Sequence, residues 1–342
     1  LKIPNPRIVV AGSVSSTHRT LRSLLEHKAD VVGVAGLSRK YAHKVSGYAG
    51  LDDLAADAHL PYCTFDNINA PDVVSAIADW KPDLLFVVGL SQVVGDALLQ
   101  VPTIGCIGFH PTRLPVGRGR APLAWLVMDG QPGAATFFLI DDGVDSGPVL
   151  VQQVFDVGSD DYASDIVSKI DLAMKIALDR LIPQLIAGTW QEVPQCTDAA
   201  SCLARRAPSD GWLDWHMSAQ RLYRIVRATS HPHPGAYTYY RGARLIVWRC
   251  TVEKRMRIRG VTGRIVHMDI PQRPLVQTGD GLLWLDEVEW AAPVNPEGAI
   301  FIVGSKLGYC AEDEIHNLKK RIAQLEESVN RLTKPTPSEV KM

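Results

Sequence analysis

Three short runs in the first ninety or so residues are apolar almost without interruption: Ile8-Val9-Val10-Ala11-Gly12 after Arg7, Val31-Val32-Gly33-Val34-Ala35 after Asp30, and Leu84-Leu85-Phe86-Val87-Val88-Gly89 after Asp83. Strands that lack polar alternation are buried on both faces, so these runs predict a parallel sheet covered by helices. The intervening segments have helical spacing: Leu21, Leu24 and Leu25 follow the Gly12 turn and Ser15-Ser16-Thr17, and Val73 to Trp80 repeats the pattern. In such a fold ligands sit beyond the carboxyl ends of the strands. That directs attention to Gly89-Leu90-Ser91-Gln92 and to the loop beginning at His110. The Gly12 turn is not a dinucleotide fingerprint, because the GxGxxG spacing and a well-placed acidic partner are missing.

A long amphipathic stretch runs from Ala163 to Ile186, and the character of the chain changes near Pro194 to Pro208. From Gly235 onward the runs Ala236-Tyr237-Thr238-Tyr239-Tyr240, Leu245-Ile246-Val247-Trp248 and Leu282-Leu283-Trp284-Leu285 are short, β-rich and divided by Gly and Pro. They predict a second, small β domain. The tail changes again: Ile315, Leu318, Ile322, Leu325, Val329 and Leu332 alternate intervals of three and four, β-branched at one core position and leucine at the other. This pattern predicts a parallel two-stranded coiled coil and hence a homodimer. Glu314 with Lys319, and Arg321 with Glu326, fall where parallel helices pair opposite charges. The other reading of the tail is one amphipathic helix packed on its own domain.

Length and composition narrow the classes. The chain has 342 residues, room for two domains and a large core, with 46% apolar and 21% charged residues. Its net charge of -1 gives no bulk attraction for a nucleic acid. Cys63, Cys106, Cys196, Cys202, Cys250 and Cys310 lack metal-ligand or disulfide-framework spacing, and the two histidines of His231-Pro232-His233-Pro234 are too few for a metal site. No basic-then-apolar leader and no apolar run of about 18 residues is present, so the expectation is a reduced, cytoplasmic protein without a membrane span.

The region with most chemical information is Gly105 to Gly147. It contains His110-Pro111-Thr112-Arg113-Leu114-Pro115, Arg118-Gly119-Arg120-Ala121-Pro122-Leu123-Ala124-Trp125, Gly130, Ala135-Thr136 and Asp141-Asp142-Gly143-Val144-Asp145-Ser146-Gly147. This ordered series resembles the N10-formyltetrahydrofolate-dependent formyltransferases, the family of methionyl-tRNA formyltransferase and the sugar N-formyltransferases. Arg205 to Trp215, Arg227-Ala228 and Pro234-Gly235-Ala236 resemble the start of that family's C-terminal domain, so the likeness extends from Arg7 to about Gly304. It implies a Rossmann-like formyltransferase domain over residues 1–203, an OB-like β-barrel domain over 204–308, and the coiled coil over 311–333 outside it.

The resemblance also implies a reaction: a neutral amine attacks the formyl carbon of N10-formyltetrahydrofolate through a tetrahedral oxyanion, with no metal. Such a reaction needs a proton acceptor and oxyanion donors. His110 is the one side chain of the first motif able to exchange a proton near neutral pH, and Asp145 carries over as its partner. Gln92, Val93 and Val94, with Asp141, Asp142, Gly143 and Val144, carry over as the folate site, largely through backbone groups, and Arg120 would reach folate or acceptor. The family's asparagine two residues before the histidine is here Gly108. Either the Gln92 side chain or a backbone N–H is expected to supply the missing donor. For the acceptor, Arg118-Gly119-Arg120-Ala121-Pro122-Leu123 is closer to the sugar enzymes, and the loop after the second strand offers only Arg39, Lys40, His43 and Lys44 as basic residues. A nucleotide-linked amino sugar is therefore expected; charged tRNA and other small amines remain open. So does a weakened folate-binding scaffold, which rests on Gly108 alone.

Overall fold

The computed structural model describes residues 2–269, 272–293, 298–309 and 311–333. Cys310 lies outside them, as does the side chain of Leu332, the last heptad position. Two compact units are present: one holds the chain up to Trp212 together with Tyr223–Ala236, the other Leu213–Leu222 and everything described from Tyr237 on.

The first unit opens with β1 (Ile8–Gly12), α1 (Ser15–Glu26), β2 (Val31–Leu37), α2 (Asp52–Asp57), β3 (Tyr62–Phe65), α3 (Pro71–Asp79) and β4 (Leu84–Val88). Next come α4 (Asp96–Leu99), β5 (Gly105–Thr112), β6 (Arg118–Gly119), α5 (Pro122–Asp129), β7 (Gly133–Leu139), β8 (Val149–Phe155), α6 (Ala163–Ala187) and β9 (Cys202–Leu203). The seven-stranded sheet has the order β3-β2-β1-β4-β5-β7-β8, a Rossmann-like arrangement. Neighbours from β3 to β5 are parallel. Every residue of β1 and β4 is buried, as their unbroken apolar runs require.

The sheet is parallel as expected from β3 to β5 and then changes direction: β7 runs antiparallel to β5, and β8 antiparallel to β7. The 140–148 connection between β7 and β8 is too short for the dozen or so residues of a parallel crossover. Strand order reverses between β1 and β4, which marks the carboxyl ends of these strands as the ligand-binding edge. Strand β5 outruns its neighbour there. It pairs with β4 only as far as Val87 opposite Gly108, while His110 is still in register with Thr136 of β7. The sheet's geometry thus carries His110 beyond the parallel core on a strand still pinned from one side.

The second unit is a five-stranded antiparallel sheet of β10 (Ala236–Tyr240), β11 (Ala243–Glu253), β12 (Ile265–Asp269), β13 (Arg273–Gln277) and β14 (Leu282–Trp290), in the order β10-β11-β14-β13-β12. The helix α7 (Ala219–Thr229) precedes it in the chain. Its outer strands do not pair with each other. Between them lies the segment around Leu307, whose neighbour Gly308 donates to the Tyr239 carbonyl and which itself donates to that of Gly263. Trp215 and Tyr240, two of the aromatic residues of this region, are buried, and the Trp215 Nε1–H donates to Thr238 Oγ1 at 2.9 Å. The last element is α8 (Ala311–Thr333). Its stripe of Ile315, Leu318, Ile322, Leu325 and Val329 is 52–59% exposed, so the helix does not bury that face within the chain. Among the described residues no helix is long and apolar enough to cross a membrane.

Candidate active site

His110 sits on β5 with its side chain on the face opposite Phe109, whose ring packs 5.2 Å from that of Phe137. The imidazole is almost wholly enclosed and meets an acceptor at each nitrogen. Nε2 lies 2.8 Å from the Gly117 carbonyl, and Nδ1 lies 3.4 Å from Asp145 Oδ2. A carbonyl can only accept, so Nε2 carries the hydrogen, and Nδ1 faces Asp145 with a lone pair unless the ring takes a second proton. Burial pushes the imidazole below its ordinary value, while Asp145 and then the Gly117 carbonyl pull the other way by favouring the protonated form. Both N–H groups of an imidazolium would find partners in this setting.

Asp145 is fixed from several directions. Its Oδ2 accepts from the Gly119 N–H at 2.8 Å. Its backbone is left-handed, with φ of 51°, and the loop around it is drawn tight by Asp141, whose Oδ1 accepts from Ser146 Oγ at 2.7 Å and from the Gly143 N–H at 3.1 Å. Gly147 closes the turn. A Cβ there would stand 1.8 Å from the Leu139 carbonyl oxygen, so no other residue fits.

The segment after α6 completes the frame. Gln195 Nε2 donates to the carbonyls of Asp145 and Gly147, and its Oε1 accepts from Arg118. Ser201 Oγ accepts from the Gly117 N–H at 3.0 Å. Behind the imidazole, Thr136 Oγ1 donates to the Thr112 carbonyl and accepts from Gln152. Sequence reasoning missed Gln195, Ser201 and Gln152, which lie in no motif and approach the site only through the fold.

The remaining expected residues fall on three loops, those after β4, β6 and β7. Val93 is 81% and Val144 65% exposed, whereas Val94 and Ile140 pack against the core cluster that includes Leu85, Val87 and Cys106. Asp142 and Gly143 are exposed. Arg120 is exposed too, and its backbone N–H bonds the Leu203 carbonyl. Gln92 is engaged elsewhere: its Oε1 accepts from the Ile68 N–H at 2.7 Å and its Nε2 donates to the Asp66 carbonyl at 2.8 Å. Its amide serves to tie the loop after β4 to that after β3, which counts against the side-chain version of the oxyanion donor. Gly108 stands opposite Phe138 in the β5–β7 register, and a Cβ at Gly108 would lie 2.8 Å from that ring's Cζ. The space an asparagine would need is filled by Phe138. Among the described residues no three His, Cys, Asp or Glu side chains gather as a metal site.

Residues 6–182 match the family described as formyl transferase, and residues 206–300 match the formyl transferase C-terminal domain. Among solved structures, HypX from Aquifex aeolicus in complex with tetrahydrofolic acid is similar at a TM-score of 0.59 and 16% identity, covering 84% of this chain and 45% of that one. This chain thus spans just under half of HypX. The sugar 3N-formyl transferase WlaRD, solved in the presence of dTDP and 5-N-formyl-THF, is similar at 0.59 and 14% identity over 84% of this chain and 98% of its own. An N-formyltransferase from Helicobacter canadensis, in complex with folinic acid and dTDP-3-aminofucose, gives 0.61 and 14% over 81% and 98%. At these identities the likeness is one of fold.

Proposed function

The chain belongs to the formyl transferase family, and we propose that it is an enzyme moving a formyl group from N10-formyltetrahydrofolate to the amino group of a small acceptor. The observation that carries this reading is the enclosed His110, placed past the end of the parallel sheet with Asp145 on one nitrogen and the Gly117 carbonyl on the other.

The acceptor nitrogen bonds to the formyl carbon, the tetrahedral intermediate collapses, and the bond from that carbon to folate N10 breaks. One proton leaves the acceptor amine and one arrives at N10. The His110–Asp145 pair takes up and returns that proton as a unit, since the imidazolium it forms has an acceptor at each N–H. Asp145 is the more accessible member, with its side chain 20% exposed against 7% for His110, and it forms the face of the pair nearest solvent. Folate lies against the loop of Gln92, Val93 and Val94 and that of Asp141 to Val144, whose exposed Val93 and Val144 give apolar surface to a flat ring. Arg120 extends toward folate or acceptor. The oxyanion is met by a backbone N–H.

An amino sugar, carried on a nucleotide, is the acceptor class we favour. Two of the four basic residues after β2 are already paired with carboxylates: Arg39 with Asp52 at 2.7 Å and Lys40 with Asp66. In this reading residues 1–203 carry the chemistry, 204–308 form the C-terminal formyltransferase-type domain, and 311–333 join two copies as a parallel coiled coil. The exposed stripe of α8 and its flanking charges support that last assignment.

The test is release of tetrahydrofolate from N10-formyltetrahydrofolate with a panel of nucleotide amino sugars, simple amines and charged methionyl-tRNA. Turnover with an amino sugar is expected. Turnover with the tRNA alone would overturn the acceptor assignment, and tight folate binding with no turnover would favour a scaffold.

A further inference from the structure

We infer that Gln195 is a positioning residue for the formyl transfer, holding Asp145 in register with His110 from a segment outside the family's motifs. The inference rests on the functional reading above. Gln195 reaches the site because Val193 bridges to Val149 at the start of β8, bringing the chain after α6 back alongside the Asp145 loop. Its amide is then used completely. The two N–H groups go to the carbonyls of Asp145 at 2.8 Å and Gly147 at 2.7 Å, and the oxygen accepts from Arg118 Nε at 3.1 Å and Nη2 at 2.8 Å. Arg118 has only donors, so the amide cannot turn over: its oxygen must face the guanidinium and its NH₂ the carbonyls.

Asp145 needs such a hold. At φ of 51° its backbone is in the left-handed region, which aspartate visits as a single residue but does not prefer. The Gln195 bond to its carbonyl and the Gly119 bond to its carboxylate act at the two ends of the same residue. Arg118 and Gly119 are adjacent on β6, so one short strand supports Gln195 with its first residue and the Asp145 carboxylate with its second. Ser201, further along the same segment as Gln195, holds Gly117, the other acceptor facing His110. Both partners of the imidazole are thus set from residues 195–201.

The test compares wild type with Gln195→Ala and with Gln195→Glu, which keeps the volume but sets a carboxylate against two carbonyls. Three readouts are taken: the His110 titration by NMR, kcat and folate KM separately, and the melting temperature. In both variants kcat is expected to fall about 10- to 100-fold, the cost of misplacing a reacting group by an ångström or less, with folate KM within about twofold of wild type. The His110 titration should move downward, because a displaced Asp145 no longer favours the imidazolium. A structural role would lower the melting temperature and leave that titration in place. Unchanged titration and kcat in folded Gln195→Glu would overturn the inference. If wild type transfers no formyl group yet His110 still shifts in the variants, the functional reading fails and the positioning role stands.

Discussion

Replacing Gly108 with the asparagine that the family usually carries should harm this protein rather than improve it. The φ of Gly108 is not in the left-handed region, so the obstacle is space. A Cβ would sit 2.8 Å from Phe138 Cζ and 3.1 Å from Ile140 Cγ1, and Phe138 is itself only 3% exposed. The ring would have to move within a packed core, and overpacking of this kind costs about 1–3 kcal/mol. Removing a glycine from a strand returns about 0.5–1 kcal/mol, so the midpoints leave a net loss of about 1 kcal/mol and a fall in melting temperature of about 2–4 °C. Because the side chain is forced against the ring instead of into the site, amine-dependent turnover should not rise. Phe138→Leu in the same chain should relieve the crowding, so the double variant should be more stable than the two single changes sum to, by about 1 kcal/mol. The assay is a double-mutant cycle by urea denaturation with turnover measured on each member. Gly108→Asn with wild-type stability, or with turnover raised about a hundredfold, would refute the reasoning.

Two further outcomes follow from the geometry. Burial holds the His110 imidazole below 6.5, so in the window from 6.5 down to that depressed value the unfolded chain binds a proton the folded chain does not. Stability from this group is complete above 6.5 and is lost as pH falls through the window, and the acid limb of the rate profile should also lie below 6.5; urea midpoints and rates across pH check both, and an acid limb above that value would contradict it. In the tail, Leu318→Lys with Leu325→Lys should convert a dimer to a monomer in sedimentation while the domains melt as before, since both side chains are more than half exposed in the single chain. A wild-type monomer would contradict the coiled coil.

Sequence pattern was a good guide wherever one residue's neighbours along the chain decide its surroundings. The unbroken apolar runs of β1, β2 and β4 become strands because both faces are covered, and the stretch from Ala163 becomes α6, ended by Gly188 in the left-handed conformation. Direction of pairing was not legible: nothing within Gly133–Leu139 or Val149–Phe155 says that these strands run against β5 and each other. The same holds for the site. His110 and Asp145 lie in motifs, but the meaning of Gly108 appears only when the strand register sets Phe138 across from it. Gln92 has no local signal that its amide bonds residues 66 and 68. Gln195, 50 positions from the carbonyl it holds, has no local signal at all.

The central claim is that the His110–Asp145 pair moves the proton in a folate-dependent formyl transfer. It is tested most directly by amine-dependent release of tetrahydrofolate from wild type and His110→Gln, with folate affinity measured on both. The account expects turnover in wild type, a loss of about 100-fold or more in the variant, and equal folate affinity. Equal turnover in the two proteins would contradict it.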